Sequence, residues 1–172
     1  MKEHEVIAKT LVYLIKKEQA EINSVATPKK HEKYIKKAIN NAGLTKNQIN
    51  LITFKQVGAD IIAVLKFKSG RPQKRIQIEA KGGNVYYGIY TALGQFICLK
   101  ESPSTYHWFA FAFPLRWREK IRKWLLTPKE RIKPVIRDII NLYTKNGQGL
   151  WFYFINEKTG KAIKETWETT LR

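Results

Sequence analysis

The amino-acid sequence predicts an α/β domain. Segments with the 3.6-residue apolar period of amphipathic helices alternate with short runs that are continuously apolar or apolar at every second position, the patterns of helices and strands. Apolar residues make up 44% and aromatics 12% of the 172 residues, enough for one substantial core and too little chain for two comfortable domains.

Lys2 to about Ile22 has the pattern of an amphipathic helix, with Val6, Leu11, Leu14 and Ile15 in its apolar stripe. Asn23 to Thr27 is polar and reads as a short connection. Pro28 suits the first turn of a second helix, with Thr27 as a potential cap, running to about Ala42 and ending at Gly43. That helix turns Tyr34, Ile35, Ala38 and Ile39 inward and Lys29, Lys30, Lys33, Lys36 and Lys37 outward. A strand over Asn50 to Lys55 follows. Beyond the central hairpin described below, Tyr86 to about Leu99 reads as a helix with Cys98 as a small core residue, and Ser102-Pro103-Ser104 as a turn. Tyr106 to Phe113 alternates large and small apolar residues, as suits a buried strand, and Pro114 ends it. Leu115 to about Tyr143 reads as two helices broken near Thr127-Pro128. Leu150 to Ile155 and Lys161 to Glu165 form a terminal hairpin whose turn uses Gly160 at positive φ.

The chain is organised around Gly58 to Lys81. Gly58 to Phe67 is almost uninterruptedly apolar, Arg75 to Lys81 alternates strictly, and Lys68 to Lys74 between them is rich in turn residues. An antiparallel hairpin centred on Ser69 and Gly70 pairs residues whose numbers sum to 139, which sets Asp60 opposite Glu79. On the second strand Ile76, Ile78 and Ala80 share one face and Gln77, Glu79 and Lys81 the other. Asp occurs only at positions 60 and 138, and a strand as apolar as Val57 to Ala63 does not accept one without a partner. Two carboxylates and an ammonium together are the parts for binding a hard divalent cation and activating water against a phosphodiester. After Lys81, Gly82 and Gly83 allow a sharp turn and a close approach to a ligand.

An Asp, a hairpin and then Glu-x-Lys resembles the PD-(D/E)xK nuclease superfamily, whose members include restriction enzymes and archaeal Holliday-junction resolvases. The matching settings are Gly58-Ala59-Asp60-Ile61-Ile62 and Ile78-Glu79-Ala80-Lys81-Gly82, with Ala59 where the name-giving proline would stand. The resemblance covers roughly Pro28 to Ala112 as a nuclease core, leaving 1–27 as a helical extension and 113–172 as basic helices and a terminal hairpin. It implies a restriction-endonuclease-like mixed sheet of about five strands with helices on both sides. It implies catalytic roles for Asp60, Glu79 and Lys81, with Mg²⁺, or Mn²⁺ in its place, held by Asp60, Glu79 and the Ala80 carbonyl. Two flanking positions match more weakly: Glu32 on the second helix, which could equally pair with Lys36, and Gln95 on the later helix, which could equally be an ordinary surface residue.

With 32 Lys and Arg against 14 Asp and Glu, the net charge is +18, which attracts a polyanion. DNA is the leading partner, and Lys29, Lys30, Lys33, Arg116, Arg118, Arg122, Lys123, Lys129 and Arg131 are the expected backbone contacts. Trp117 and Trp124 among them share a helical face, as core residues would. An anionic membrane surface is the second candidate for this charge, but no apolar run approaches the length of a membrane span; no membrane partner and a cytoplasmic protein are expected, with a homodimer open. A lone cysteine excludes an internal disulfide and a thiolate zinc site from this chain alone. His4, His31 and His107 show no ligand spacing and read as solvated or capping. The expected activity is Mg²⁺-dependent DNA endonuclease, structure-specific in the manner of a junction resolvase or else sequence-specific, with a non-cleaving nucleic-acid-binding module on the same fold as the rival.

Overall fold

The computed structural model describes residues 1–65, 73–97, 107–126, 138 and 150–166. The hairpin turn at Ser69-Gly70, Cys98, the Ser102 to Ser104 turn, and the second basic helix with Lys129 and Arg131 lie outside the described residues. The described helices are α1 (Glu3–Lys17), α2 (Lys29–Asn41), α3 (Lys46–Asn50), α4 (Val85–Ile97) and α5 (Arg118–Leu126). The strands are β1 (Glu21–Ala26), β2 (Thr53–Lys55), β3 (Ile61–Leu65), β4 (Lys74–Ala80), β5 (His107–Pro114), β6 (Leu150–Ile155) and β7 (Ala162–Thr166). The molecule is α/β, with one mixed seven-stranded sheet in the order β2-β1-β3-β4-β5-β6-β7. No described helix is long and apolar enough to cross a membrane.

The hairpin register is the expected one: β3 and β4 pair antiparallel with Ile61 opposite Ile78 and Ala63 opposite Ile76, each pair summing to 139. β5 and β6 then continue the sheet in parallel with β4, and β7 closes it antiparallel to β6. The terminal hairpin therefore belongs to the main sheet, and its Gly160 has φ +69° as the turn requires.

The N-terminal segment departs from expectation. α1 stops at Lys17, and the chain reverses through Gln19 at φ +51°. Glu21–Ala26, read from sequence as the end of a helix and a polar link, is strand β1, between β2 and β3. Asn23 and Ser24 broke the apolar alternation, and a bulge between Ile22 and Ser24 breaks the pairing at the same place. The sheet consequently has more strands than the five expected. Asn50 to Lys55 also differs: a capping box on Thr45 starts the short α3, leaving only Thr53–Lys55 as an edge strand.

Each face of the sheet carries its own core. On one, Val6, Leu11 and Leu14 of α1 and Ile35 and Ile39 of α2 pack on Ile61, Ile76, Ile78, Ala110 and Ala112. On the other, Ile89 and Leu93 of α4 and Ile121 and Trp124 of α5 pack on Phe109, Phe111, Phe113, Phe152 and Phe154, with Trp117 between. The large and small alternation in β5 thus separates two helical layers, its alanines letting α1 lie close. Val6, Leu11 and Leu14 are each 0% exposed, and burying such side chains contributes roughly 1.5–3 kcal/mol apiece. Three of them approach the net stability of a whole domain, about 5–15 kcal/mol, so α1 is part of the core and not an appendage. Tyr34, expected inward, is 46% exposed because Ile35 and Ile39 alone fill the buried stripe of α2.

Candidate active site

Asp60, immediately before β3, and Glu79, near the end of β4, meet where the register predicts. The Ala80 N–H donates to Asp60 Oδ2 at 2.7 Å and fixes that carboxylate, while the backbone is held by the Lys81 N–H donating to the Ala112 carbonyl at 2.9 Å and the Ala26 N–H donating to the Asp60 carbonyl at 3.0 Å. Lys81 Nζ lies 3.2 Å from Asp60 Oδ2 and 3.7 Å from Glu79 Oε2. Asp60, Glu79 and Lys81 are all buried. Glu79 Oε2 is buried without a hydrogen-bond partner despite the nearby ammonium.

A third carboxylate joins them, and it is Glu3. Its Oε2 is 3.8 Å from Lys81 Nζ, with the side chain about half exposed. The route is Gly82: a Cβ there would sit 2.6 Å from the Met1 carbonyl oxygen and 2.7 Å from the Glu3 nitrogen. Gly83, at φ +80°, donates its N–H to the Met1 carbonyl at 3.0 Å. The Gly-Gly pair does permit a close approach, and what approaches is the first turn of α1. Glu32 lies elsewhere, in an ion pair with Lys36 at 2.5 Å, as the i,i+4 alternative anticipated. Gln95 is exposed on α4. That helix meets Lys81 at Gly88, whose missing Cβ would lie 3.2 Å from the Lys81 Cβ, and seven further residues of helix carry Gln95 about 10 Å along the axis.

Electrostatics follow from this burial. Loss of hydration pushes the Asp60 carboxyl up to about 6, against the opposing pull of Lys81 and the Ala80 N–H. Burial, reinforced by the charge of Asp60, pushes Glu79 up to about 7. Burial alone would lower Lys81, but the combined fields of Asp60, Glu3 and Glu79 outweigh it and hold the ammonium above its ordinary value. Lys81 is therefore a permanent cation at neutral pH, while Glu79 sits close to half-ionised and Asp60 is mostly ionised, and both respond to any further positive charge.

Beside Asp60 opens a cleft of about 300 Å³, lined by Glu3, Thr27, Gln56 and Gly58 among others. His4 and His31 also line it, stacked with ring centroids 3.9 Å apart and planes at 10°, with Tyr34 edge-on to His4 at 5.4 Å. His4 and His31, both half-exposed, are brought together by the packing of α1 on α2. Burial and the neighbouring His31 lower the pKa of His4.

Among the described residues, no group of three or more His, Cys, Asp or Glu side chains converges to hold a metal by itself. Asp60 and Glu79 remain a suitable pair for Mg²⁺, which takes one or two carboxylates and fills its other positions with water and substrate oxygen. Glu79 Oε2, buried without a hydrogen-bond partner and 3.7 Å from Lys81 Nζ, still has lone pairs to offer a metal. Ala80 stands between the two acids, its N–H already committed to Asp60.

The basic residues divide into two groups. Lys29, Lys30 and Lys33 are exposed on α2, whose first turn borders the cleft through Pro28 and His31. In the second group, Arg116 pairs with Glu157 at 3.1 Å, Arg122 with Glu119 at 3.6 Å, and Arg118 with both Glu119 and Glu165. Arg118 Nε donates to Glu165 Oε1 at 2.7 Å, and Glu165 is buried. Arg118 is therefore a structural clamp between α5 and β7 more than a free phosphate contact. Lys123 follows on the same helix, and Trp117 and Trp124 are buried as their shared face implied. Comparison with known proteins leaves the residues to speak for themselves: no family model, no curated protein and no solved structure matches the chain.

Proposed function

We propose that the chain is a Mg²⁺-dependent DNA endonuclease built on a PD-(D/E)xK-like, restriction-endonuclease-like core. The observation that carries this reading is the buried cluster in which Asp60 Oδ2 and Glu79 Oε2 lie 3.2 and 3.7 Å from Lys81 Nζ, at the open end of a hairpin and beside a cleft. Burying two acids and an amine is costly, and a domain without use for them would be as stable with apolar residues there. A net charge of +18 and the lysines of α2 supply the attraction for a polyanion.

In this reading Asp60 and Glu79 would hold the ion, whose chemistry would be Lewis-acid polarisation of a phosphoryl oxygen and supply of a more acidic water. Lys81 stays protonated, so it orients the attacking water and stabilises charge developing on the phosphate; as an ammonium it has no lone pair with which to take a proton. Glu3 adds negative charge that keeps Lys81 cationic.

The test is cleavage of a labelled duplex, single strand, four-way junction and mixed-sequence plasmid in Mg²⁺ and in EDTA, with wild type and the Asp60→Asn, Glu79→Gln and Lys81→Ala variants. Metal-dependent cutting by wild type alone is the expected result, and a preference for the junction would identify a resolvase-like enzyme. Cutting that survives the substitutions would locate the activity elsewhere, and binding without cutting by every form would make the domain a non-catalytic binding module.

A further inference from the structure

The first two turns of α4 carry three tyrosines turned to solvent: Tyr86 is 54%, Tyr87 74% and Tyr90 47% exposed. The helix buries its opposite side through Val85, Ile89 and Ala92, so the tyrosines form one outward stripe, with Tyr90 placed i+4 from Tyr86 and i+3 from Tyr87. Exposed aromatic area of this density, within five residues of one helix, is costly to hydrate and unusual unless something covers it. The stripe is rigidly mounted. Asn84 Oδ1 accepts the N–H groups of Tyr86 and Tyr87 at 3.1 and 3.2 Å, capping the helix, and Tyr90 sits edge-on against Trp124 with centroids 5.4 Å apart.

Its position gives the stripe meaning. Gly88, between Tyr87 and Ile89, is pressed against the site from the inner side of the same turn, its missing Cβ leaving 3.2 Å to the Lys81 Cβ and 2.8 Å to the Trp117 ring. The exposed rings therefore stand one helix width from the lysine assigned to the scissile phosphate. Two occupants could cover them: a second copy of this chain or a nucleic acid. Two copies, each with a net charge of +18, would repel one another as they approached, whereas a polyanion is drawn to the molecule, so charge complementarity selects the nucleic acid. In a duplex the base faces are hidden by stacking; only unpaired bases offer a π-face to a tyrosine.

We infer that Tyr86, Tyr87 and Tyr90 form a stacking platform for unpaired bases of a DNA strand beside the cleavage site, making the substrate one with a single-stranded segment next to the scissile bond. The inference rests on the nuclease reading for the course of the strand, and its test is chosen to stand apart from cleavage. Fluorescence anisotropy in EDTA compares a labelled mixed-sequence single-stranded 15-mer, an abasic strand of the same length and charge, and a blunt duplex. Wild type binds the base-bearing strand about tenfold or more tighter than the abasic one, stacking being the difference. Tyr87→Ala weakens that preference, the triple alanine variant abolishes it, and Tyr87→Trp preserves it. These side chains are exposed, so an unchanged far-UV CD spectrum accompanies each substitution. The platform is overturned if wild type binds both strands equally, if the triple variant keeps the preference, or if the substitutions instead dissolve a dimer. Cleavage lost with the base preference intact would remove the nuclease reading and leave the platform; duplex cleavage with no base preference would do the reverse.

Discussion

Glu3 and Lys81 are ion-paired across 3.8 Å, so the first turn of the first helix supplies the outermost acid of a cluster whose other members come from one hairpin. The contact makes the behaviour of the site depend on how the chain start is docked, and it directs the first of four predictions.

Gly82→Ala puts a methyl group 2.6 Å from the Met1 carbonyl oxygen and 2.7 Å from the backbone of Lys2 and Glu3. Neither backbone can yield cheaply, so the variant is less stable by about 1–3 kcal/mol, the usual cost of overpacking. The first turn of α1 is displaced from Lys81 as well. Chemical denaturation measures the loss, and a proteolysis assay shows whether the N-terminal turn opens first. Wild-type stability in the variant would refute the close packing.

The buried carboxyls give a pH dependence of definite sign. Asp60 and Glu79 titrate near 6 and 7 in the folded chain and near 4 when unfolded, so between these values the native state binds more protons than the unfolded one. Stability from these groups is fully present below pH 4 and is lost as pH rises through 6 and 7. Glu79→Gln imitates the protonated form and escapes the loss. Its stability relative to wild type increases from pH 4 to pH 8 by on the order of 3 kcal/mol, read from urea unfolding at several pH values. A difference that does not change with pH would mean that Glu79 titrates normally.

If Asp60 and Glu79 hold a divalent metal as proposed, the ion removes the same penalty. Mg²⁺ or Mn²⁺ is expected to stabilise wild type at pH 6.5, by about 2.7 kcal/mol at a hundred times the dissociation constant, and to release protons on binding, mainly from Glu79. Calorimetry in buffers of different ionisation enthalpy detects the protons without any substrate. Asp60→Asn loses both effects. Lys81→Met, by contrast, leaves three acids without their cation and is destabilised by roughly 3–5 kcal/mol near neutral pH, and added Mg²⁺ recovers part of that loss. Indifference of wild type to both metals would dismiss the site as a metal centre.

Charge reversal separates the two basic surfaces. Lys29→Glu, Lys30→Glu and Lys33→Glu together leave folding intact, weaken binding to all duplexes alike and flatten the dependence of affinity on salt, since each lost phosphate contact is a counterion no longer released. Arg118→Glu instead confronts buried Glu165 and lowers thermal stability before it affects DNA. Titrations at several salt concentrations, paired with melting curves, distinguish the outcomes. An Arg118 variant that melts like wild type would return α5 to the binding surface.

What the sequence determined by itself is local and periodic. The period of two in Arg75 to Lys81 and the turn residues before it specify a hairpin, and antiparallel pairing is a reflection, so one turn position dictates that Asp60 faces Glu79. The alternation of Phe and Ala in β5 likewise prescribes a strand buried on both faces, and the shared face of Trp117 and Trp124 prescribes their burial. Tertiary structure decided everything that depends on which distant surfaces meet. Glu32 and Glu3 both stand in the first turn of a lysine-rich amphipathic helix, and no local property chooses between them; the choice falls to Gly82, which only in the fold is seen to admit the backbone of Met1 to Glu3. Strand β1, with Glu21, Asn23 and Ser24 and a bulge in its pairing, is too polar and too irregular to declare itself until β2 and β3 take up its hydrogen bonds. The arginines around Arg118 look free in one dimension and find Glu157 and Glu165 in three. Short-range pattern is written residue by residue, whereas docking is a property of pairs far apart in the chain, selected by shape and charge that exist only once both partners have folded.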